Sequence, residues 1–500
     1  MDVVLDIDDD RSRPAYRRLA EAIREGIVAG RFRPGEKLPP TRVLAANLSM
    51  ARNTVLEAYE QLVAEGYLAG RHGSGTYVAA DIPDRTFRAP RAARRAPGGS
   101  APVRLSRFAE RILAGEVPQH LARGEGASEY DFRYGFPAFT EFPIDAWRAL
   151  TKRVLDYPPK ELMGYGPTEG LPALREALAR YLQRSRGVRC DADQVIVVNG
   201  SQQALDLAAR VLFDPGDTVV IEEPCYQGAR AAFAANGATI VPVPCDGEGI
   251  RADLLPDAAK VAYVTPSHQF PSGAVMSAAR RLELLAWAER TGAIVIEDDY
   301  DSEFRYVGRP LAALQGMDSA GRVIYTGTLS KVLLPALRLG YVVAPPGLQP
   351  AITGAKWLTD RHVALLYQAV LALFIDEGHF ERHLRRMRKL YQRRREALIA
   401  SFAKHFGERA VITGAESGMH VLVQIADVSD TEAFEREAGR EGVGIYSARP
   451  YYSLEPPHHA TFLMGYSSID EGEIDEGVRR LAHIESGGLR VGVPERKRLV

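Results

Sequence analysis

The sequence predicts an α/β protein in two parts: a small module of three helices and a β-hairpin, then a large domain on a mostly parallel central sheet with a smaller C-terminal α+β part. Three observations predict it. A helical period near the N-terminus is cut repeatedly by Gly and Pro; the stretch 81–126 is too rich in Pro and Gly to hold any period; beyond it, short apolar runs alternate with amphipathic helical patterns, as in βαβ units.

Composition fits that division. The 500 residues, 46% of them hydrophobic, can bury more than one core. The formal net charge is only -1, so contact with a polyanion must come from a local basic face. The start, "MDVVLDIDDDRSRP", lacks the basic flank and apolar core of a leader, and no run of apolar residues is long enough to span a bilayer. A soluble, cytoplasmic chain with no membrane partner is expected. Cys190, Cys225 and Cys245 lack metal-ligand spacing, which suits free thiols in a reducing compartment, and no bound metal is expected.

In the N-terminal module, Tyr16, Leu19, Ile23 and Ile27 recur at helical spacing until Gly30, Pro34 and Gly35 end the helix. A second helix runs from about Thr41 to Asn47 and a third from about Ala51 to Glu65, with Val55, Tyr59, Leu62 and Val63 inward. Arg52, Asn53 and Thr54 then sit on the exposed first turn, with which helix-turn-helix proteins enter a major groove. "GYLAGRHGSGTYV" reads as a hairpin with Arg71 and His72 near its tip. Three helices and a basic hairpin make a winged helix, and the ordered combination favours double-stranded DNA over a merely solvated basic face. Arg42, on the second helix, completes the candidate DNA contacts.

The stretch "GEKLPPTRVLAANLSMARNTVLEAYEQLVAEGYLAGRHGSGTYV" resembles the DNA-binding domain of the GntR family of bacterial regulators, over most of residues 14–79. That family usually places Ser before the arginine that opens the recognition helix; here it is Ala51. The lost N-cap costs about 1 kcal/mol unless Ser49 replaces it with a shifted helix start.

Between 81 and 126 the chain reads as a linker, in which Arg85, Arg88, Arg91, Arg94 and Arg95 could rest on phosphate backbone or form a solvated tether. Then "QVIVVNG", "DTVVIEE", "KVAYVTP", "AIVIEDD" and "RVIYTGT" read as strands. Ligands of open α/β sheets lie beyond the carboxyl ends of such strands. There Gly200-Ser201 opens a helix, a natural phosphate site; Asp298 and Tyr300 follow one strand; and Thr328, Lys331 and Arg338 follow another. An acid at a buried strand end suits a protonated pyridine nitrogen, and a desolvated lysine amine is a nucleophile toward aldehydes. Singly each has a bland reading, but the set matches pyridoxal 5'-phosphate.

"TLSKVLLPALRLGY", "IEDDYDSEFRY", "TPSHQFPSG" and "GYGPTEGLPALR" are similar to the motifs of fold-type-I aminotransferases, and residues 14 to about 485 resemble the MocR-type branch of the GntR family, in which such a domain follows the winged helix. The resemblance implies a winged helix-turn-helix DNA-binding domain at 1–80, the linker at 81–126 and an aminotransferase-like, PLP-binding effector domain at 127–490. It implies that Lys331 forms the Schiff base with PLP, that Asp298 keeps the pyridinium protonated, that Tyr300 bonds the phenolic oxygen, and that Ser201, Thr328 and Arg338 hold the phosphate, with Gln202 also at the cofactor. Tyr226 matches the aromatic stacked on the ring, Tyr165 a tyrosine reaching the partner subunit's phosphate, and Arg449 lies where the family binds a ligand carboxylate.

The function implied is a homodimeric transcriptional regulator that senses PLP or an amino-compound effector through an aldimine at Lys331. The alternatives are a working aminotransferase that carries a DNA-binding domain and a scaffold that binds DNA without cofactor. One departure bears on turnover: the aminotransferase Asn-Pro-(Thr/Ser)-Gly is here Phe270-Pro271-Ser272-Gly273, so the asparagine's hydrogen bond falls to His268 or Gln269. His379 and His383, four apart, read as part of a solvated helix, and "RHLRRMRKLYQRRR" as an exposed amphipathic one.

Overall fold

The computed structural model describes residues 7, 10, 12–71, 74–82, 104–115, 128–308 and 312–484, and of Arg71 the backbone alone. Two compact units divide the chain, Met1–Val103 and Arg104–Val500. The first holds helices Ala15–Val28, Thr41–Asn47 and Arg52–Ala64, followed by strands β1 (Leu68–Arg71) and β2 (Gly75–Val78), paired antiparallel. Leu19, Ile23 and Ile27 share one core with Leu44, Val55, Leu62 and Val78. Val63, expected inward, is 43% exposed. Tyr59 and Leu62, three apart, already fill the core face, and the next residue is carried 100° past it.

The helix Arg52–Ala64 opens with Ala51 as its N-cap and no side-chain hydrogen bond to the first turn. Ser49 does not replace it, because its backbone turns left-handed at φ 53° in the connection. Ala51→Ser is therefore expected to stabilise this unit by about 1 kcal/mol, read as a higher urea midpoint for its transition in the full chain. His72 and the five linker arginines lie outside the described residues.

Part of the stretch read as linker is helical. Ser106 caps a helix over Arg107–Ala114, and Arg111 Nε donates to Ala235 O at 2.8 Å, which joins this helix to the large unit. The surrounding Pro and Gly residues masked a short cap signal.

The large unit begins with β3 (Tyr130–Asp131). Its central sheet comprises β4 (Val195–Val198), β5 (Thr218–Glu223), β6 (Thr239–Asp246), β7 (Gly249–Ile250), β8 (Val261–Val264), β9 (Ile294–Asp299), β10 (Val323–Thr328) and β11 (Gly340–Val343), in the order β4-β11-β10-β9-β8-β5-β6-β7. From β10 to β6 all neighbours are parallel, and β11 runs antiparallel to both β10 and β4. Strands β4 and β10 therefore point the same way, and their carboxyl ends meet at one edge with those of β8 and β9.

Both faces of the sheet are covered, which is why these strands are almost continuously apolar. Val220, Ala262, Val295 and Val323 face Leu284 and Trp287 of the helix Ala278–Thr291; Val219, Ile221, Tyr263 and Ile296 face Leu205 and Phe233 on helices Ser201–Leu212 and Gln227–Ala235. The alternation has the period of two that a strand dictates.

The C-terminal part contributes β12 (Ala410–Thr413), β13 (His420–Ile425), β14 (Val443–Gly444), β15 (Tyr446–Ser447) and β16 (Ala460–Gly465). β12, β13, β16 and β15 form an antiparallel sheet, and β14 pairs with β3. The helix His379–His405 is amphipathic as expected, with Phe380, Leu384, Met387, Tyr391, Leu398 and Phe402 buried. It is not merely solvated. His383 is buried with Nε2 2.9 Å from Val332 O, and Arg388, Arg394 and Arg395 donate to the carbonyls of Glu303, Ser467 and Ala415. Orphan carbonyls of loops packed on the helix use the basic residues that the sequence left to solvent. Among the described residues no helix is long and apolar enough to cross a membrane.

Candidate functional site

The carboxyl edge of the sheet opens into a cavity of about 440 Å³. Its floor comes from the acidic run that ends β9. Glu297, Asp298 and Asp299 alternate in direction, as strand residues must. Glu297 accepts the backbone N–H groups of Leu314 and Gln315, both at 2.8 Å, and Asp299 forms a buried ion pair with Arg186 at 2.8 Å and accepts from the Tyr325 hydroxyl at 2.6 Å. Asp298 faces the other way, into the cavity, where Tyr263 donates to its Oδ2 at 2.9 Å. Among the described residues its Oδ1 has no partner. Burial pushes the Asp298 carboxyl up to about 7, against the Tyr263 hydrogen bond. An unsatisfied buried carboxylate oxygen marks a place for a donor, and a cationic one gains most.

Lys331 enters from the loop after β10. Its Nζ donates to Gly135 O at 2.9 Å. Gly135 has φ 79°, and a Cβ there would lie 2.6 Å from Nζ, so only glycine allows the approach. Burial lowers the Lys331 pKa to about 8, with Asp301 and Asp298 opposing the shift. A substantial neutral fraction near pH 8 follows, as a nucleophilic amine requires.

At the N-terminus of the helix Ser201–Leu212 lies an anion cup. Gly200, its N-cap, has φ 82°, and a Cβ there would stand 3.1 Å from Arg338 Nη2, which itself donates to Asn199 O at 2.9 Å. The first-turn N–H groups at the positive end of the helix dipole, Ser201 and a guanidinium converge there, with Thr328 also in the cavity wall.

Tyr300 lies between the two chemistries. Its hydroxyl is 3.0 Å from His268 Nδ1, and that nitrogen is 3.0 Å from Asp301 Oδ2. With its proton on Nδ1, His268 donates to Asp301, which leaves the Tyr300 hydroxyl free to donate to a ligand oxygen. Gln269, the other candidate for the missing asparagine's role, instead donates to the Pro224 and Phe270 carbonyls at 2.7 and 2.8 Å.

Ser201, Gln202, Tyr226, Asp298, Tyr300, Thr328, Lys331 and Arg338 thus line one cavity. Tyr165 does not: it is 83% exposed, with Arg361 5.0 Å above its ring. Arg449 is exposed on the 3-10 turn Arg449–Tyr451 and does not line the cavity either. Sequence reasoning missed Tyr134, Gly135, Tyr263, Asp301 and His420. Asp301 stood in the noted "IEDDYD" run and His420 is a lone polar residue opening an apolar strand; the others gave no signal. In the first unit Arg42, Arg52 and Asn53 are exposed and Thr54 is half-buried.

Comparison with known proteins agrees with both units. Residues 15–78 match the model of bacterial regulatory proteins, gntR family, and residues 131–481 that of aminotransferase class I and II. A probable rhizopine catabolism regulatory protein, MocR, of Rhizobium meliloti is 40% identical over 96% of this chain and 95% of its own length. Among solved structures, a multiple substrate aminotransferase from Thermococcus profundus is similar at TM-score 0.69 and 31% identity, over 75% of this chain and 96% of that one. The α-aminoadipate aminotransferase LysN of Thermus thermophilus, complexed with N-(5'-phosphopyridoxyl)-L-leucine, gives TM-score 0.68 and 30% identity over 76% of this chain and 96% of that one.

Proposed function

The chain belongs to the MocR-type branch of the gntR family, and from that premise we propose that this DNA-binding transcriptional regulator reads pyridoxal 5'-phosphate, or an amino compound condensing with it, at Lys331. The observation that carries the reading is the unpartnered Oδ1 of Asp298 in the same cavity as a lysine whose pKa is lowered to about 8. These residues fit the cofactor. Asp298 Oδ1 would take the ring N–H, Tyr226 a ring face, Tyr300 the phenolic oxygen, and Ser201, Thr328, Arg338 and the helix N-terminus the phosphate, with Gln202 at the rim. Bound there, the cofactor supplies an aldehyde that condenses with amines and a chromophore that reports it.

The regulator works as a homodimer in this reading. Tyr157, Met163, Tyr165 and Leu358 are each at least 76% exposed, and Arg361 lies over both Tyr165 and Trp357, at 5.0 and 5.3 Å. Large apolar and aromatic side chains left exposed in this way are suited to burial against a second copy, which would bring Tyr165 toward the partner's phosphate. A ligand that favours one dimer arrangement would alter the spacing of two DNA half-sites.

Arg52→Ala, on the exposed first turn of its helix, is expected to weaken operator binding by about 1–3 kcal/mol while leaving the visible absorbance unchanged. Titration of operator DNA at several salt concentrations checks it; unchanged affinity would remove the recognition helix from the reading. The second reading, a working aminotransferase, is favoured by the intact Lys331 and Asp298 arrangement. Sustained turnover of an amino donor and a 2-oxo acid at ordinary enzyme rates would establish it over the sensor.

A further inference from the structure

The anion cup at the start of the helix Ser201–Leu212 is held from behind. Asn199, which precedes the Gly200 N-cap, donates its N–H to Gln203 Oε1 at 2.7 Å, and its carbonyl accepts from Arg338 Nη2 at 2.9 Å. Its side-chain Nδ2 donates to Asp360 Oδ2 at 2.6 Å, and Gln203 Nε2 donates to the same oxygen at 2.8 Å. Asn199, Gln203 and Asp360 thus close a ring of hydrogen bonds. Arg338 itself is left-handed at φ 50°, a conformation that a residue with a side chain keeps only where its surroundings hold it.

Asp360 lies 161 positions beyond Asn199, at the end of the helix Gln349–Thr359. That helix packs on the cup's own helix, where Ile352 shares a core with Ala204 and Leu207. The Asp360 backbone is fixed on both sides, its N–H donating to Lys356 O at 3.0 Å and its carbonyl accepting from His362 N at 2.7 Å. Its second carboxylate oxygen, Oδ1, accepts from Lys356 Nζ at 2.7 Å, and Lys356 is fully buried. A buried ion pair is a weak source of stability, because desolvation offsets the attraction. Behind an anion cup it has another use. A carboxylate is the stronger acceptor for Asn199 and Gln203, but alone it would repel an arriving phosphate, and Lys356 cancels that charge.

We propose that Lys356 and Asp360 are positioning residues for the cofactor phosphate. Neither lines the cavity; they act through Asn199 and Gln203 on the first-turn N–H groups and on Arg338. This deepens the cofactor reading and rests on it.

The test separates the phosphate from the rest of the cofactor. The full-length protein and its variants are titrated with pyridoxal 5'-phosphate and with pyridoxal, which lacks the phosphate, following the visible absorbance that depends on Lys331. Wild type is expected to prefer the phosphorylated compound. Lys356→Met with Asp360→Ala removes the pair together and leaves no unpaired buried charge. In that double variant, affinity for pyridoxal 5'-phosphate is expected to fall about tenfold or more, while affinity for pyridoxal holds within about twofold. Asp360→Asn, nearly isosteric and still an acceptor for Asn199, repeats the test where the double variant fails to fold. Its affinity ratio should fall by a smaller factor, and an unchanged ratio counts against the proposal. Equal losses for both compounds would make the pair a support of the fold alone and overturn the proposal, as would unchanged affinity for pyridoxal 5'-phosphate in the double variant. A wild type that binds both compounds equally would remove the phosphate from the cup, and the proposal with it, while leaving the Lys331 chemistry in place. No Lys331-dependent absorbance from either compound would bring down the cofactor reading itself.

Discussion

Lys331→Ala abolishes the visible absorbance of the cofactor-treated protein and its response to amines, while Arg52 and its helix still bind operator DNA. Nothing else described in the cavity can replace the amine, since Arg338 is not a nucleophile at any ordinary pH. Loss of the spectrum through unfolding is distinguishable from loss of chemistry, because the ligand-free variant should not be weakened by losing the charge. The folded pKa of Lys331, about 8, lies below the ordinary lysine value of 10.5. Between those values the unfolded chain binds more protons, so stability rises with pH across the window. Below pH 8 the wild type carries the whole penalty, about 3 kcal/mol on the linkage relation, and the alanine variant carries none. The cavity left by the lysine stem offsets part of this gain. Urea unfolding at pH 7 and pH 10.5, beside an absorbance spectrum, checks both halves; retention of a Lys331-independent band would place the chemistry elsewhere.

Asp298→Asn produces opposite effects on stability and on ligand binding. The Asp298 carboxyl is raised from 3.8 to about 7, so the folded state binds more protons between those values and stability falls as pH rises through them. Below pH 4 the group imposes nothing; above pH 7 the ligand-free wild type carries a penalty of order 4 kcal/mol that asparagine removes. Asparagine still accepts from Tyr263 but brings no charge to a protonated ring nitrogen, so cofactor affinity is expected to fall by about 1.5–3 kcal/mol. Unfolding at pH 4 and pH 8, with and without cofactor, is the measurement. A variant less stable than wild type at pH 8 without cofactor would mean that Asp298 is paired rather than waiting.

The strands, the three helices of the first unit and the strand-end residues were legible because periodicity is local. A Val/Ile run must be buried on both faces, and Asp298, Tyr300, Thr328 and Lys331 follow such runs directly. Apart from Val63, which the helical step carries past the core face, the misreadings share one cause. The capped helix Arg107–Ala114, His383 and the arginines of the helix His379–His405 were assigned by local composition, whereas their places depend on partners far along the chain, such as Ala235 O, Val332 O and Ser467 O. The loop after β3 gave no hint that Gly135 would meet Lys331, 196 positions away.

The sequence by itself determined the two-part organisation, the order of the strands along the chain and the strand ends at which Ser201, Asp298, Thr328 and Lys331 stand, because backbone propensity and strand alternation act over a few residues. Only the tertiary structure showed why Asp298, of three consecutive acids, is the one left facing the cavity, since that depends on Arg186 claiming Asp299 and on the Leu314 and Gln315 amides claiming Glu297. It likewise set the charge of the cavity wall. The cost of desolvating a group there depends on everything around it, and Tyr134, Phe270, Asp301, Lys331 and His420 come from five distant stretches of chain that only the closed fold brings together.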